Sequence, residues 1–290
     1  MRIILHIGTH KTGTTSIQDV LRASSDVLRR AGILFPEAGC PPGLSGQHML
    51  AWSVLSSKHH KLPSPKPPVW EALWREIDTL RPRKVILSAE AFSRADASEV
   101  EVIRKKMEGK EVSVVCYLRD PAAYLKSAYK QQVKMGKCSD SFSSFVKDGV
   151  KDVDYKSLVD RWARVFGASN VHVRPFDEAI QRGLLSDFAQ VAGIDESILV
   201  QETHSNVSPP DAVIQIVRYL NLLEQRLIPP DSWRPNGRGL IERIRRRLLR
   251  GETTARIIKA FSEKVGLGRI EVPEVDKQAL HDTSNSSTAY

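Results

Sequence analysis

Cysteine is scarce. Cys40, Cys116 and Cys138 are the whole complement in 290 residues. An odd number without metal-ligand spacing gives neither a disulfide framework nor a thiolate metal site, so they read as reduced thiols, with Cys116 inside an apolar strand. Long apolar runs are missing too. No stretch reaches the roughly 18 residues of a membrane span, and the short apolar run at the start enters a loop directly instead of a signal-peptide cleavage site. The expectation is a cytoplasmic protein. No internal repeat is present, and no carboxylate pair stands out as a magnesium holder. Acidic residues are the minority, 34 against 43 Lys plus Arg, for a net charge of +9. That balance favours an anionic ligand or surface: a nucleotide, an acidic glycan, nucleic acid or anionic lipid. Otherwise the chain is ordinary globular protein, 41% hydrophobic and 27% charged.

The informative stretch is at the start. Ile3-Ile4-Leu5-His6-Ile7 has strand length and feeds Gly8-Thr9-His10-Lys11-Thr12-Gly13-Thr14-Thr15-Ser16. A helical pattern follows, with Ile17, Val20, Leu21, Ser24 and Leu28 on one face. Strand, Gly-rich loop and helix together cradle a phosphate: loop N–H groups converge on the anion, and the helix N-terminus adds roughly half a unit of positive charge. Gly8 and Gly13 have Walker A spacing, but position 14 is threonine where that motif has its lysine. The lysine, Lys11, lies two residues before the second glycine.

Further along, Lys84–Ser88 and Val112–Leu118 read as buried strands, and Asn170–Val173 as a short one. Gly32–Pro36 reads as a short strand or extended edge. Helices are expected over Gln47–Leu55, Val69–Leu80, Ser98–Met107, Pro121 to about Met135 with Gly136 as its stop, Ser141–Lys147, Tyr155–Phe166 and Gly183–Val191. Residues 38–68 are irregular and rich in Pro and Gly, as in a loop that covers or lines a site. This alternation implies an α/β fold, a three-layer parallel sheet flanked by helices, with ligands at the carboxyl ends of the strands. A core over 1–205, a helical C-terminal extension packed on it over 206–274, and a frayed polar tail over 275–290 complete the expected organisation. The extension includes a basic amphipathic segment, 240–250, with Arg243, Arg245, Arg246, Arg247 and Arg250.

Lys11-Thr12-Gly13-Thr14-Thr15 after a first strand resembles the 5′-phosphosulfate loop of sulfotransferases that use 3′-phosphoadenosine 5′-phosphosulfate. Arg119, at the end of the strand Val112–Leu118, and Ser127, eight residues on, resemble the element of that family that holds the 3′-phosphate. The resemblance implies a P-loop-like fold and sulfuryl transfer without a metal. It implies that Gly8, Thr9, His10, Lys11, Thr12, Gly13, Thr14, Thr15, Ser88, Arg119 and Ser127 bind the cofactor. Lys11 would stabilise the leaving oxygen, and Glu90 would be the general base, with His10 and then His48 as rivals. His48, Lys130 and Lys134 are candidates for contact with the acceptor, expected to be a carbohydrate or small-metabolite hydroxyl, with Trp52, Trp70 and Trp74 near enough in sequence to stack on a sugar. Two features depart from the family: Ser16 stands where an adenine-stacking aromatic often follows the Thr pair, and Arg234–Gly239 is only a weak substitute for its Gly-rich C-terminal loop. A P-loop small-molecule kinase is the enzymatic alternative. The other is a nucleic-acid or anionic-membrane binder acting through 240–250, although no nucleic-acid partner is expected. Oligomeric state is open.

Overall fold

Odd and even residues of the central strands face opposite ways, and both sets are apolar. In β1 (Arg2–His6), Ile3 and Leu5 join one buried cluster while Ile4 joins another. In β3 (Lys84–Ser88), Val85 and Leu87 oppose Ile86; in β4 (Glu111–Leu118), Val112, Val114 and Cys116 oppose Val115 and Tyr117. A sheet with two apolar faces requires a layer of helices on each. The computed structural model describes residues 1–56, 68–149, 153–200 and 209–227, together with 245, 248 and 249.

With β2 (Ile33–Leu34) and β5 (Val171–Pro175), the strands form a five-stranded sheet of order β2-β3-β1-β4-β5, and every pairing is parallel. One face is covered by α3 (His48–Val54), α4 (Val69–Leu80), α5 (Ala97–Lys106) and α8 (Tyr155–Phe166), which contribute Leu50, Leu73, Ile103 and Trp162. The other is covered by α1 (Thr14–Ala23), α2 (Ser25–Arg30), α9 (Phe176–Arg182) and α10 (Leu184–Ala192), through Ile17, Leu21, Leu28 and Phe188. The expected three-layer α/β architecture is therefore present.

Three details differ from the sequence pattern. The face through Ile17 and Leu28 is not one helix but two, broken at Ser24, whose hydroxyl accepts from the Val200 N–H at 2.9 Å while the next hydroxyl, Ser25 Oγ, turns back onto Arg22 O at 2.6 Å. Such local side-chain bonding competes with helix continuation. Helix α5 starts one residue earlier than expected, because Asp96 and Glu99 form a capping box. Helix α9 was not anticipated, since Pro175 before it and Gly183 (φ +93) after it leave only one short turn-like stretch.

The chain divides into two compact units, one from the described residues of Met1–Asp120 and Asp154–Thr203, the other from those of Pro121–Val153 and His204–Asn285. The sheet belongs to the first. The second contains α6 (Pro121–Lys134), α7 (Phe142–Gly149) and α11 (Asp211–Leu227). Buried Asn221 of α11 donates to the carbonyls of Val133 and Cys138, both at 2.9 Å, across the turn where Gly136 (φ +72) ends α6. The expected loop at 234–239, the tail at 275–290, the 205/206 boundary and all of 240–250 except 245, 248 and 249 lie outside the described residues.

Candidate functional site

Strand order reverses direction at β1, which has β3 on one side and β4 on the other. At such a switch point the connections leave in opposite directions and open a crevice at the carboxyl end. The register puts His6 level with Ser88 and Val115, so Gly8–Gly13, Glu90 and Arg119 all follow strand ends at that edge.

The loop itself is held in an unusual backbone. Gly8 and Gly13 have φ of +42 and +68, and Lys11, a residue with a Cβ, has φ +69. A left-handed lysine costs about 1 kcal/mol or more and persists only if its surroundings enforce it. Three bonds enforce it here. Thr9 Oγ1 donates to Tyr117 O at 2.9 Å, Thr12 Oγ1 donates to Thr9 O at 2.6 Å, and Arg119 donates to the Lys11 carbonyl at 3.2 Å. The carbonyls of Thr9 and Lys11 are thereby tied back by the protein's own donors. The hydroxyls of Thr9 and Thr12 thus brace the loop.

Helix α1 begins at Gly13 with no side-chain cap and no acidic residue in its first turn. Its leading N–H groups need a partner from elsewhere. Thr15 is exposed there, while Thr14 is only 5% exposed and its hydroxyl has no hydrogen-bond partner among the described residues. Both positions favour glycine through their positive φ, and a Cβ would in addition lie 2.7 Å from Thr14 Oγ1 at Gly8 and 2.3 Å from the movable tip of Leu184, Cδ2, at Gly13. His10 and Lys11 are half-buried on the same loop.

Arg119 is half-buried, its guanidinium 5.4 Å from the centre of the Phe176 ring, and its Nε is buried without a hydrogen-bond partner among the described residues. One contact to Lys11 leaves most of its donors uncommitted.

Glu90 and His48, separate candidates by sequence, come together. The Glu90 carboxylate lies 3.8 Å from His48 Nε2, and the imidazole packs tilted against Trp52 with ring centres 5.6 Å apart. Burial pushes His48 below the ordinary histidine range, against the opposing pull of Glu90, so it is neutral at pH 7. Trp70 is buried and donates to Ser53 Oγ at 3.1 Å, and Trp74 meets the Lys110 ammonium at 5.7 Å.

Ser88 is fully buried, its hydroxyl 2.9 Å from His6 Nδ1 and 3.1 Å from Gln18 Nε2. Its peptide is bonded on both sides by Gln47, which links the 38–47 loop to the end of β3. The hydroxyl expected at the cofactor is thus engaged in a core network.

Ser127, Lys130 and Lys134 lie on α6, in the second unit. Lys130 pairs with Asp211 at 2.5 Å and Lys126 with the same carboxylate at 2.9 Å. Lys134 is pushed below the ordinary lysine range by burial and by the charge of Lys130. Of the arginines in 243–250, the described one, Arg245, donates to Asn221 Oδ1 at 3.1 Å and meets Glu224 at 3.4 Å.

Sequence reasoning missed His6, Gln18 and Asp187. All three are buried polar residues on the face of the sheet that carries Ile4 and Ile86. A signal existed: His6 and Ser88 keep the parity of Ile4 and Ile86, and Gln18 follows Thr14 by one helical turn, so each is a polar residue at an inward position. Asp187 accepts from Tyr117 OH at 2.8 Å and from Arg174 Nε at 3.0 Å, with Arg182 at 3.2 Å, and anchors α10 to β4 and β5.

No family model matches the sequence. An uncharacterized protein of Archaeoglobus fulgidus is 31% identical over 153 residues, 52% of this chain and 41% of that relative, so the chain spans less than half its length. Among solved structures, a sulfotransferase from Alicyclobacillus acidocaldarius is similar over 79% of this chain and 96% of its own, with 19% identity and a TM-score of 0.43. At those values the likeness assigns no activity to this chain.

Proposed function

We propose that this protein is a sulfotransferase that moves the sulfuryl group of 3′-phosphoadenosine 5′-phosphosulfate to an acceptor hydroxyl, on a carbohydrate or a small metabolite. The observation that carries the reading is the loop. Its lysine sits between the glycines in an enforced left-handed conformation, and the strand-end arginine Arg119 bonds that lysine's own carbonyl.

The residues fit such a cofactor. The uncapped start of α1, the partnerless Thr14 hydroxyl and the Thr15 side chain suit a 5′-phosphate. The planar fork of Arg119 suits the second phosphate that separates this nucleotide from ADP. Bound there, the phosphosulfate supplies an activated sulfuryl group. Glu90 accepts the acceptor's proton, and the neutral His48 3.8 Å away leaves the carboxylate's charge uncancelled. The Lys11 ammonium offsets negative charge where the leaving oxygen forms, worth roughly 3–4 kcal/mol on the scale of a lost oxyanion-hole donor. The expected Ser127 hydroxyl belongs to the other unit, and the proposal stands on residues of the first.

Calorimetric titration of 3′,5′-bisphosphoadenosine and of ADP, without magnesium, tests it. Wild type should prefer the bisphosphate, and Arg119→Ala and Arg119→Lys should lose that preference, the lysine variant because a point charge cannot replace the fork. Equal binding of both, or binding only of magnesium nucleotides, would refute the assignment and favour the kinase.

A further inference from the structure

Two buried polar atoms beside the loop lack hydrogen-bond partners among the described residues, and both lie close to the same point. Thr14 Oγ1 lies 2.7 Å, and His6 Nε2 3.5 Å, from the position that a Cβ of Gly8 would occupy. His6 is the last residue of β1 and is fully buried, its ring edge-on to Tyr117 at 5.8 Å and tilted against Phe188 at 5.3 Å.

The hydrogen bonds around Ser88 favour one placement of the proton on His6. Gln18 Nε2 lies 3.2 Å from the Ser88 carbonyl, which only accepts, so that atom of the amide is the nitrogen. The same NH2 group donates to Ser88 Oγ at 3.1 Å. The Ser88 hydroxyl still has its own proton to place, and His6 Nδ1 at 2.9 Å offers it an acceptor, which the Gln18 NH2 does not. Burial pushes the imidazole down to about 3, so the ring is neutral and carries one N–H. Since Nδ1 accepts, that N–H is on Nε2, the atom facing Gly8 and Thr14.

We infer that His6 is a positioning residue for anion binding: its Nε2–H donates to Thr14 Oγ1 when an anion occupies the loop, which turns the Thr14 O–H outward onto the anion. Every proton in the chain then points one way, from Gln18 through Ser88, His6 and Thr14 to the ligand. One end of the chain only donates and the other only accepts, so the polarity is fixed without any proton transfer. Gly8 is part of the device, because a Cβ would fill the space the bond must cross. The inference rests on the reading of this loop as an anion site, not on which nucleotide binds there.

The test uses inorganic pyrophosphate as the probe, with 3′,5′-bisphosphoadenosine alongside. In full-length protein with 15N-labelled histidine, the His6 resonances are those absent from His6→Phe. They should show Nε2 protonated and Nδ1 accepting, and the Nε2 signal should shift on saturation with pyrophosphate. By calorimetry, His6→Phe and the isosteric Thr14→Val should each weaken pyrophosphate about tenfold, and the double variant no more than either, because both cut one chain. A proton on Nδ1, an unmoved Nε2 signal, multiplied losses near a hundredfold, or a wild type that binds neither anion would overturn it. If His6→Phe does not fold, the wild-type tautomer and its shift on ligand addition, assigned from the non-titrating histidine, decide alone. Coupled loss of pyrophosphate without preference for the bisphosphate over ADP would sink the sulfotransferase reading and leave this one standing. A preserved bisphosphate preference without coupling would do the reverse.

Discussion

Substituting Gly8 by alanine isolates the steric requirement of the loop from its conformational one. At φ +42 an alanine is in the left-handed region, which costs about 1–2 kcal/mol. The new Cβ also lies 2.7 Å from Thr14 Oγ1, well inside contact. Thr14 is β-branched and sits in the first turn of α1, so it cannot swing aside cheaply. That overpacking adds about 1–3 kcal/mol. Gly109 is the control: its φ is +71 but nothing lies within 4 Å of its Cβ position, so alanine there carries only the backbone cost. Thermal unfolding of the two variants side by side should place Gly8→Ala roughly 2–12 °C below Gly109→Ala, taking about 2–4 °C per kcal/mol for a chain of this size. Pyrophosphate affinity should fall in Gly8→Ala and stay at the wild-type value in Gly109→Ala. If Gly8→Ala is as stable as Gly109→Ala and binds the anion normally, the close approach of Gly8 to Thr14 is not a feature of the protein in solution.

Two further outcomes follow from buried groups on the same face of the sheet. Burial alone would raise the Asp187 carboxyl, but hydrogen bonds from Arg174 and Tyr117 and the charges of Arg174 and Arg182 hold it below the ordinary carboxylate range. Its contribution is therefore present above the unfolded value near 4 and is lost as pH falls through the folded one. Asp187→Asn should destabilise by about 1–3 kcal/mol at pH 7, because the buried carboxylate loses its charge-assisted bonds while Arg174, 28% exposed, stays partly solvated. Urea unfolding that showed less than 1 kcal/mol would contradict the burial. His6 has the opposite linkage: its folded value near 3 is below the unfolded 6.5, so the unfolded chain binds more protons between those limits and stability falls as pH drops from 7 toward 4. His6→Gln should remove about one proton from that slope, roughly 1.4 kcal/mol per pH unit, and an unchanged slope would mean that His6 is solvated in the folded state.

The linear pattern carried a great deal of this fold. Largely apolar runs at Ile3–Ile7, interrupted by His6, at Val85–Leu87, and at Val112–Cys116, interrupted by Ser113, are what a parallel sheet covered on both faces needs, and the Gly8–Gly13 spacing with Lys11 between marks the phosphate loop. Strand, loop and helix are adjacent in the chain, so propensity and spacing suffice to see them. Partnership across the sheet was not legible, because pairs such as His48 with Glu90, or His6 with Ser88, are separated by tens of residues and meet only once strand order and register are set. The same holds for roles. By sequence Thr9, Thr12 and Ser88 looked like ligand hydroxyls, but the folded loop turns the first two onto backbone carbonyls and the sheet draws the third onto His6 and Gln18. The class of fold and the place of the loop are legible from the chain alone, because both depend on residues adjacent along it. Which polar atoms are satisfied within the protein and which remain unpartnered beside the loop follows from the folded arrangement, because a hydrogen bond is settled by distance and direction in space.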